Sequence, residues 1–200
     1  MPKTQDRVGS TRDRMVDSAA VLLREYGTAA TTIDAVLAHS SAPRGSVYHH
    51  FPGGRRELLA AAVTRAGDSV STLLHDYADT ADSPSALLRR FASLWRSRLV
   101  ATDHRAGCPL VAVAVDHPAD EPELLDLVRS ITDRWTAELR AGLLAQGVPD
   151  TRASALAALV LASIEGAIVL CRVEGSAAPL DAVVAELQPL LDGAARDTSP

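Results

Sequence analysis

"ATTIDAVLAHSSAPRGSVYHHFPGGRRELL", residues 30–59, reads as two short helices joined by a tight turn and running into a longer third. Thr31 or Thr32 can cap the first, and Ile33, Val36 and Leu37 then fall on one face. "HSSAP" breaks that helix. A very short helix follows over about 43–50, "FPGG" ends it, and a long helix begins near Gly54. Two short helices packed on a longer one form a helix-turn-helix. The stretch therefore predicts an all-α module at the N-terminal end.

The rest of the chain continues in helices. An opening helix should start at Ser10 or Thr11, with Met15, Ala19, Leu22, Leu23 and Tyr26 on one apolar face and Gly27 as its stop. The long helix from Gly54 carries Leu58, Leu59, Ala62, Val63, Ala66, Val70, Leu73, Leu74 and Tyr77 on one side. Ser83-Pro84 reads as cap and first position of a helix holding Leu87, Phe91, Leu94, Trp95 and Leu99. "GCPLVAVAVD" (107–116) is too short for periodicity to decide, and with no sheet partner in sight it is assigned to helix. Asp120-Glu121-Pro122-Glu123 has the form of a capping box and opens a helix with Leu125, Val128, Trp135 and Leu139. An apolar helix near 151–173 and an amphipathic one near 179–192 close the chain, and Pro189 should kink or shorten the latter. The expectation is about nine helices and no strand. They divide into a helix-turn-helix domain over 1–53 and a larger helical domain over 54–200.

Composition agrees. Of 200 residues 47% are hydrophobic but only 4% aromatic, so the core is mostly Ala, Leu and Val, and Leu and Ala favour helix. Lys3 is the only lysine, so nearly every cationic contact is a guanidinium fork. The net charge of −5 argues against a general polyanion binder. It is unevenly spread: residues 1–57 hold eight basic and six acidic residues, a balance of +2, which leaves −7 for the remainder. Cys108 and Cys171 fit no zinc or redox spacing and are read as buried free thiols. The N-terminus is polar and does not read as a signal peptide, so a cytoplasmic location is expected. "ASALAALVLASIEGAIVLC" (153–171) approaches membrane length, but Glu165 inside it favours a buried helix.

The opening stretch has the parts of a DNA-reading head. Arg44 stands near the recognition-helix start, placed to fork onto a guanine edge or a phosphate. Gly45 lets backbone approach closely, and Ser46 can donate to base or phosphate. Val47 and Phe51, four apart, should pack inward. Tyr48, His49 and His50 can reach phosphates. Arg55 and Arg56, at the next helix N-terminus, add charge to its dipole; Thr31 and Thr32 can serve similarly at the preceding helix.

These residues resemble the DNA-binding signature of the TetR family. Thr32, Ile33, Ala38, Gly45, Val47, Tyr48, His50 and Phe51 match its pattern. "APRGSVYHHFPGG" together with "GCPLVAVAVD" resembles the LmrA/YxaF-like branch, so the likeness spans most of the chain. Three positions depart from the pattern. Ser41 replaces the usual turn glycine, Pro43 the usual helix-opening serine, and Gly54 a frequent cap lysine. Arg55 or Arg56 would have to supply that phosphate contact.

The resemblance implies a homodimer reading a palindromic operator in double-stranded DNA, with the two C-terminal helices forming a four-helix interface. Ala157, Ala158, Ala162 and Gly166 are small enough for close helix approach; Glu165, Val183 and Leu187 complete the expected interface. The middle helices would enclose an apolar pocket, with Trp95, Leu99, Cys108, Leu110, Val111, Trp135, Leu139, Ile164 and Ile168 as candidate walls for a small hydrophobic ligand. Ligand entry would displace the long helix and release a repressor from its operator. Adjacent His49 and His50 diverge on a helix and cannot easily share an ion, so no metal is expected and no cofactor is implied. No nucleophile elbow or phosphate loop is present, so no enzyme is expected. Glu165 remains a carboxylate needing a partner: Arg172, a ligand or the second subunit. The rival reading is a helical ligand-binding or interaction protein without DNA binding.

Overall fold

A computed structural model describes residues 10–78, 81–116 and 122–196. Helix α1 (Thr11–Ala30) starts where the sequence places it. The Ser10 hydroxyl accepts the Asp13 N–H at 3.1 Å and donates to the Asp13 carboxylate at 2.6 Å. Gly27 does interrupt the helix, at φ 82° and ψ −178°, but one more turn continues to Ala30. Met15, Ala19, Leu22 and Leu23 are buried as expected. Tyr26 is not; it is 59% exposed, because the break at Gly27 ends the apolar face one turn early.

Thr32 caps α2 (Ile33–Ser40) by accepting the Ala35 N–H at 3.1 Å. Ser41 takes the left-handed conformation (φ 53°, ψ 32°) that glycine usually supplies at a helix end. Helix α3 (Ser46–His50) is shorter than expected, because Pro43–Gly45 form a turn closed by Ser46 N–H to Pro43 O at 2.9 Å. Val47 and Phe51 are fully buried beneath it. Helix α4 (Gly54–Ala78) leaves this head and runs into the body. Arg65 fastens it back onto α1 by ion pairs to Asp13 at 2.5 Å and Asp17 at 2.7 Å. The Asp13 carboxyl is held down to about 2, first by the Ser10 hydroxyl and then by Arg65.

The body comprises α5 (Pro84–Ala101), α6 (Pro109–Asp116), α7 (Pro122–Ala145), α8 (Asp150–Glu174) and α9 (Ala178–Arg196). Ser83 caps α5 through Ala86 N–H, with Pro84 in the first turn. The ambiguous apolar run is helix α6. The proposed capping residues Asp120 and Glu121 lie outside the described residues. Pro189 does not shorten α9: it sits on the exposed side and the helix continues to Arg196. Among the described residues the fold is thus nine helices and no strand.

Helix α7 lies along α4, α8 lies against α7 and α9, and α5 packs on α9. The α4–α7 seam is close. A Cβ on Gly67 would come within 2.7 Å of Ile131 Cγ2, and the Trp135 indole N–H donates to Gly67 O at 3.1 Å. Helix α8 is long and apolar enough to cross a membrane, yet Leu156, Val160, Ile164 and Ile168 place one of its faces in the body's core.

Candidate nucleic-acid interface and regulatory cavity

The head presents one exposed end. Arg44, Gly45, Tyr48 and His49 are exposed around α3, with Thr32 exposed at the cap of α2. A Cβ on Gly45 would meet nothing within 4 Å, so that backbone is open to close approach. His50 is half-buried, its ring edge-on to His49 with centroids 4.8 Å apart. The Ser46 hydroxyl turns back to Pro43 O at 2.6 Å and helps hold the turn.

Three expected contacts are placed differently. Thr31 is buried, and its hydroxyl donates to Gly27 O at 2.8 Å, so it closes the α1 break instead of facing outward. Arg55 donates to Thr31 O at 3.1 Å and Thr28 O at 2.6 Å, satisfying carbonyls left without helical partners at the end of α1. Arg56 reaches the body, pairing with Glu123 on α7 at 3.0 Å. The sequence reading also missed Asp34, whose carboxylate pairs with Arg44 at 2.6 Å. A ten-residue separation across a turn carries no periodic signal for that pair.

A cavity of about 360 Å³ opens where the head meets the body. Helix α1 contributes Leu23, Glu25, Tyr26 and Gly27. From α6 and the residues before it come Gly107, Cys108, Val111, Val115 and Asp116. Helix α8 contributes Glu165, Ile168, Val169 and Arg172. Three hydrogen bonds tie α1 to the body around it. Gly107 N–H donates to Arg24 O at 2.7 Å, Thr28 N–H to Asp116 Oδ2 at 2.6 Å, and Arg172 to Glu25 O at 3.1 Å.

Of the expected pocket residues, Cys108, Val111 and Ile168 line this cavity. Trp95, Leu99, Leu110, Trp135, Leu139 and Ile164 do not; they are buried core. Trp135 is spent on Gly67, while Trp95 packs edge-on to Phe91 at 6.4 Å and under the Arg98 guanidinium at 5.1 Å. Glu165, expected at a dimer interface, lines the cavity instead. Its Oε2 is inaccessible and has no hydrogen-bond partner, while the Cys108 thiol bonds to the carboxyl. Burial raises the Glu165 carboxyl to about 7 and pushes the Cys108 thiol well up. Among the described residues no cluster of His, Cys, Asp or Glu could hold a metal ion.

Sequence comparison decides the family. The family model "Bacterial regulatory proteins, tetR family" matches residues 15–62, and "Transcriptional regulator LmrA/YxaF-like, C-terminal domain" matches 84–186. The chain belongs to the TetR family, LmrA/YxaF-like. It is 42% identical over 186 residues to the HTH-type transcriptional regulator Rv0196 of Mycobacterium tuberculosis H37Rv, covering 90% of this chain and 93% of that protein. It is 28% identical to YxaF of Bacillus subtilis 168 over 183 residues, 92% of this chain and 95% of YxaF. A TetR transcriptional regulator from Legionella pneumophila shares the fold, with a TM-score of 0.82 at 18% identity over 92% of this chain and 99% of that one.

This TetR-family regulator also exposes an apolar stripe. Ala155, Ala158, Leu159, Ala162, Gly166, Val169, Leu170 and Val173 recur at helical spacing along the outer face of α8 and are all exposed. Ala158, Ala162 and Gly166 from the expected interface lie on it. Ala157 and Leu187 do not: both are buried in the protomer's own core, and Val183 is half-buried.

Proposed function

We propose that this regulator is a homodimeric repressor that binds a palindromic operator and leaves it when a small ligand enters the cavity between α1, α6 and α8. The observation that carries this reading is the shared wall: head residues Glu25–Gly27 and body residues Cys108–Asp116 line one space. A ligand there touches both units at once, so any difference in its affinity for two head positions becomes a change in operator affinity. The exposed stripe of α8 supports dimerisation, since small side chains permit close helix packing and apolar ones reward it.

Arg44, Gly45, Ser46, Tyr48, His49 and His50, with Thr32, make the contact with DNA in this reading. Arg44 is the base or phosphate fork, while Tyr48 and the histidines meet backbone. Arg55 and Arg56 act as struts, which leaves the phosphate contact at the α4 start to backbone and helix dipole. Residues 1–53 form the DNA-binding unit and 54–200 the regulatory and dimerisation unit. The protein works in the cytoplasm, without cofactor and without catalysis.

The test is a gel shift of duplexes from beside its own gene. Binding should weaken linearly in log–log against salt, and should fall on Arg44→Ala. Failure to bind any such duplex at low salt would overturn the repressor reading.

A further inference from the structure

The charge inside the cavity is more specific than its apolar lining. Among the described residues three carboxylates stand on its wall. Glu25 pairs with Arg105 at 3.5 Å, and Asp116 accepts the Thr28 N–H. Only Glu165 among these three keeps an inaccessible oxygen without a partner. Arg172, the one cation on the wall among the described residues, donates to Glu25 O, and its other terminal nitrogen lies against Gly107. Around Glu165 the wall is apolar: Leu23, Val111, Ile168 and Val169. An unpaired buried charge is costly, so such a carboxyl either stays protonated or holds a cation.

We propose that this cavity is the site of a small lipophilic monocation, a protonated amine on an apolar body, with Glu165 as its counter-charge. The three wall acids disfavour an anion, and the volume, near the small end for ligand pockets, suits one compact amphiphile. The amine lies against the Glu165 carboxylate, and the apolar body lies along Val111 and Ile168 toward Tyr26. Among the described residues, the titratable and charged groups that share the wall with Glu165 are Cys108 and Asp116 from the α6 side, Glu25 and Tyr26 from α1, and Arg172 from its own helix. Because burial raises Glu165 to about 7, a bound ammonium favours the carboxylate form, and at pH near 7 binding releases roughly half a proton per site. Binding stands apart from the ligand-release reading, which it needs only for an effect on the operator.

The experiment uses the full chain and three matched probes: 4-phenylbutylamine, 4-phenylbutan-1-ol and 4-phenylbutanoate. Titration calorimetry at pH 7 in buffers of different ionisation enthalpy reads affinity and proton release together. The amine should bind at least tenfold tighter than the alcohol and release roughly half a proton at pH 7, and the acid should bind weakest. Glu165→Gln should abolish both the preference and the proton release while retaining the wild-type circular dichroism spectrum. Asp126→Asn, at an exposed carboxylate of α7 outside the cavity, should retain both, which separates Glu165 from general negative charge. Equal binding of amine and alcohol, no binding of the amine, or an amine preference surviving in Glu165→Gln each overturns the proposal. If the amine binds as described but leaves operator affinity unchanged, the cation site stands and the ligand-release reading fails. If the alcohol alone releases DNA, the reverse holds.

Discussion

Asp34 should act as a brake on Arg44. Their ion pair is 2.6 Å long, and both side chains are largely exposed, at 71% and 82%. Exposed pairs are worth about 0.2–1 kcal/mol. Arg44 must give up that partner to reach DNA, so the pair's energy opposes binding. Asp34→Asn removes the competitor and should tighten operator binding by up to about fivefold, the equivalent of about 1 kcal/mol. Arg44→Ala should weaken it by about 1–3 kcal/mol, roughly 5- to 150-fold, and reduce the salt slope by about 0.9 if the lost contact is a phosphate. The double variant decides the mechanism. If Asp34 acts by holding Arg44, Asp34→Asn has almost no effect once Arg44 is alanine. Fluorescence anisotropy with a labelled operator duplex at several salt concentrations measures all four proteins. The reasoning is refuted if Asp34→Asn weakens binding, since Asp34 would then be positioning Arg44. It is refuted equally if the gain persists in the Arg44→Ala background, since it would then be general charge.

Other outcomes follow from the same geometry. Gly27→Ala should destabilise by about 1–3 kcal/mol or more, because φ 82° with ψ −178° is a conformation essentially restricted to glycine, and the new methyl would crowd Asp116; urea unfolding measures it. Gly67→Ala sets a helix-propensity gain of about 1 kcal/mol against overpacking of about 1–3 kcal/mol on Ile131, so a net loss is expected in the same assay. Ser41→Gly relieves a left-handed serine worth about 1–2 kcal/mol and gives back about 0.5–1 kcal/mol as chain entropy, so the melting temperature should rise slightly. Glu165 is raised from 4.5 to about 7, so the folded chain binds the extra proton. Its contribution is complete below pH 4.5 and lost as pH rises through 7; Glu165→Gln should flatten that part of the stability profile, on the order of 3 kcal/mol, in unfolding at pH 5 and 7.5.

The helices were legible because capping and periodicity are local. Ser10, Thr32 and Ser83 each cap the helix they were expected to open. Val47 and Phe51 read correctly as inward because four residues is one helical turn. The cavity was not legible, because core and cavity wall use the same residue types. Nothing in the spacing of Trp95, Trp135 or Leu139 distinguishes a packed side chain from a lining one. The arginines failed for a related reason. Arg55 faces carbonyls 24 and 27 residues earlier, and Arg56 a glutamate 67 residues later, so only the tertiary fold reveals that they are struts. Glu165 is visible in the sequence as an anomaly in an apolar helix; a ligand, Arg172 and a partner subunit are all open there as its partner, and only the fold places it on the cavity wall.

The placement of these struts bears on how little energy a switch here requires. Met15, Leu23, Val36, Val47 and Phe51 are buried in the head, within a core that runs on into the body. At the cavity three hydrogen bonds and the Glu25–Arg105 ion pair hold the head to the body; elsewhere Arg65 pairs with Asp13 and Asp17, Arg56 pairs with Glu123, and α1 packs along α4 and α6. Net contributions of such bonds are about 0.5–1.5 kcal/mol each, and of an exposed pair about 0–1 kcal/mol. A ligand wedged between α1 and α6 that strains the Gly107–Arg24 and Thr28–Asp116 bonds therefore opposes only a few kcal/mol, within reach of a small molecule's differential affinity. The apolar packing of α1 against α4 and α6 limits how far the head can move. The polar ties at the cavity edge are the part of this joint that a small ligand can trade against, and its differential affinity sets the shift in population.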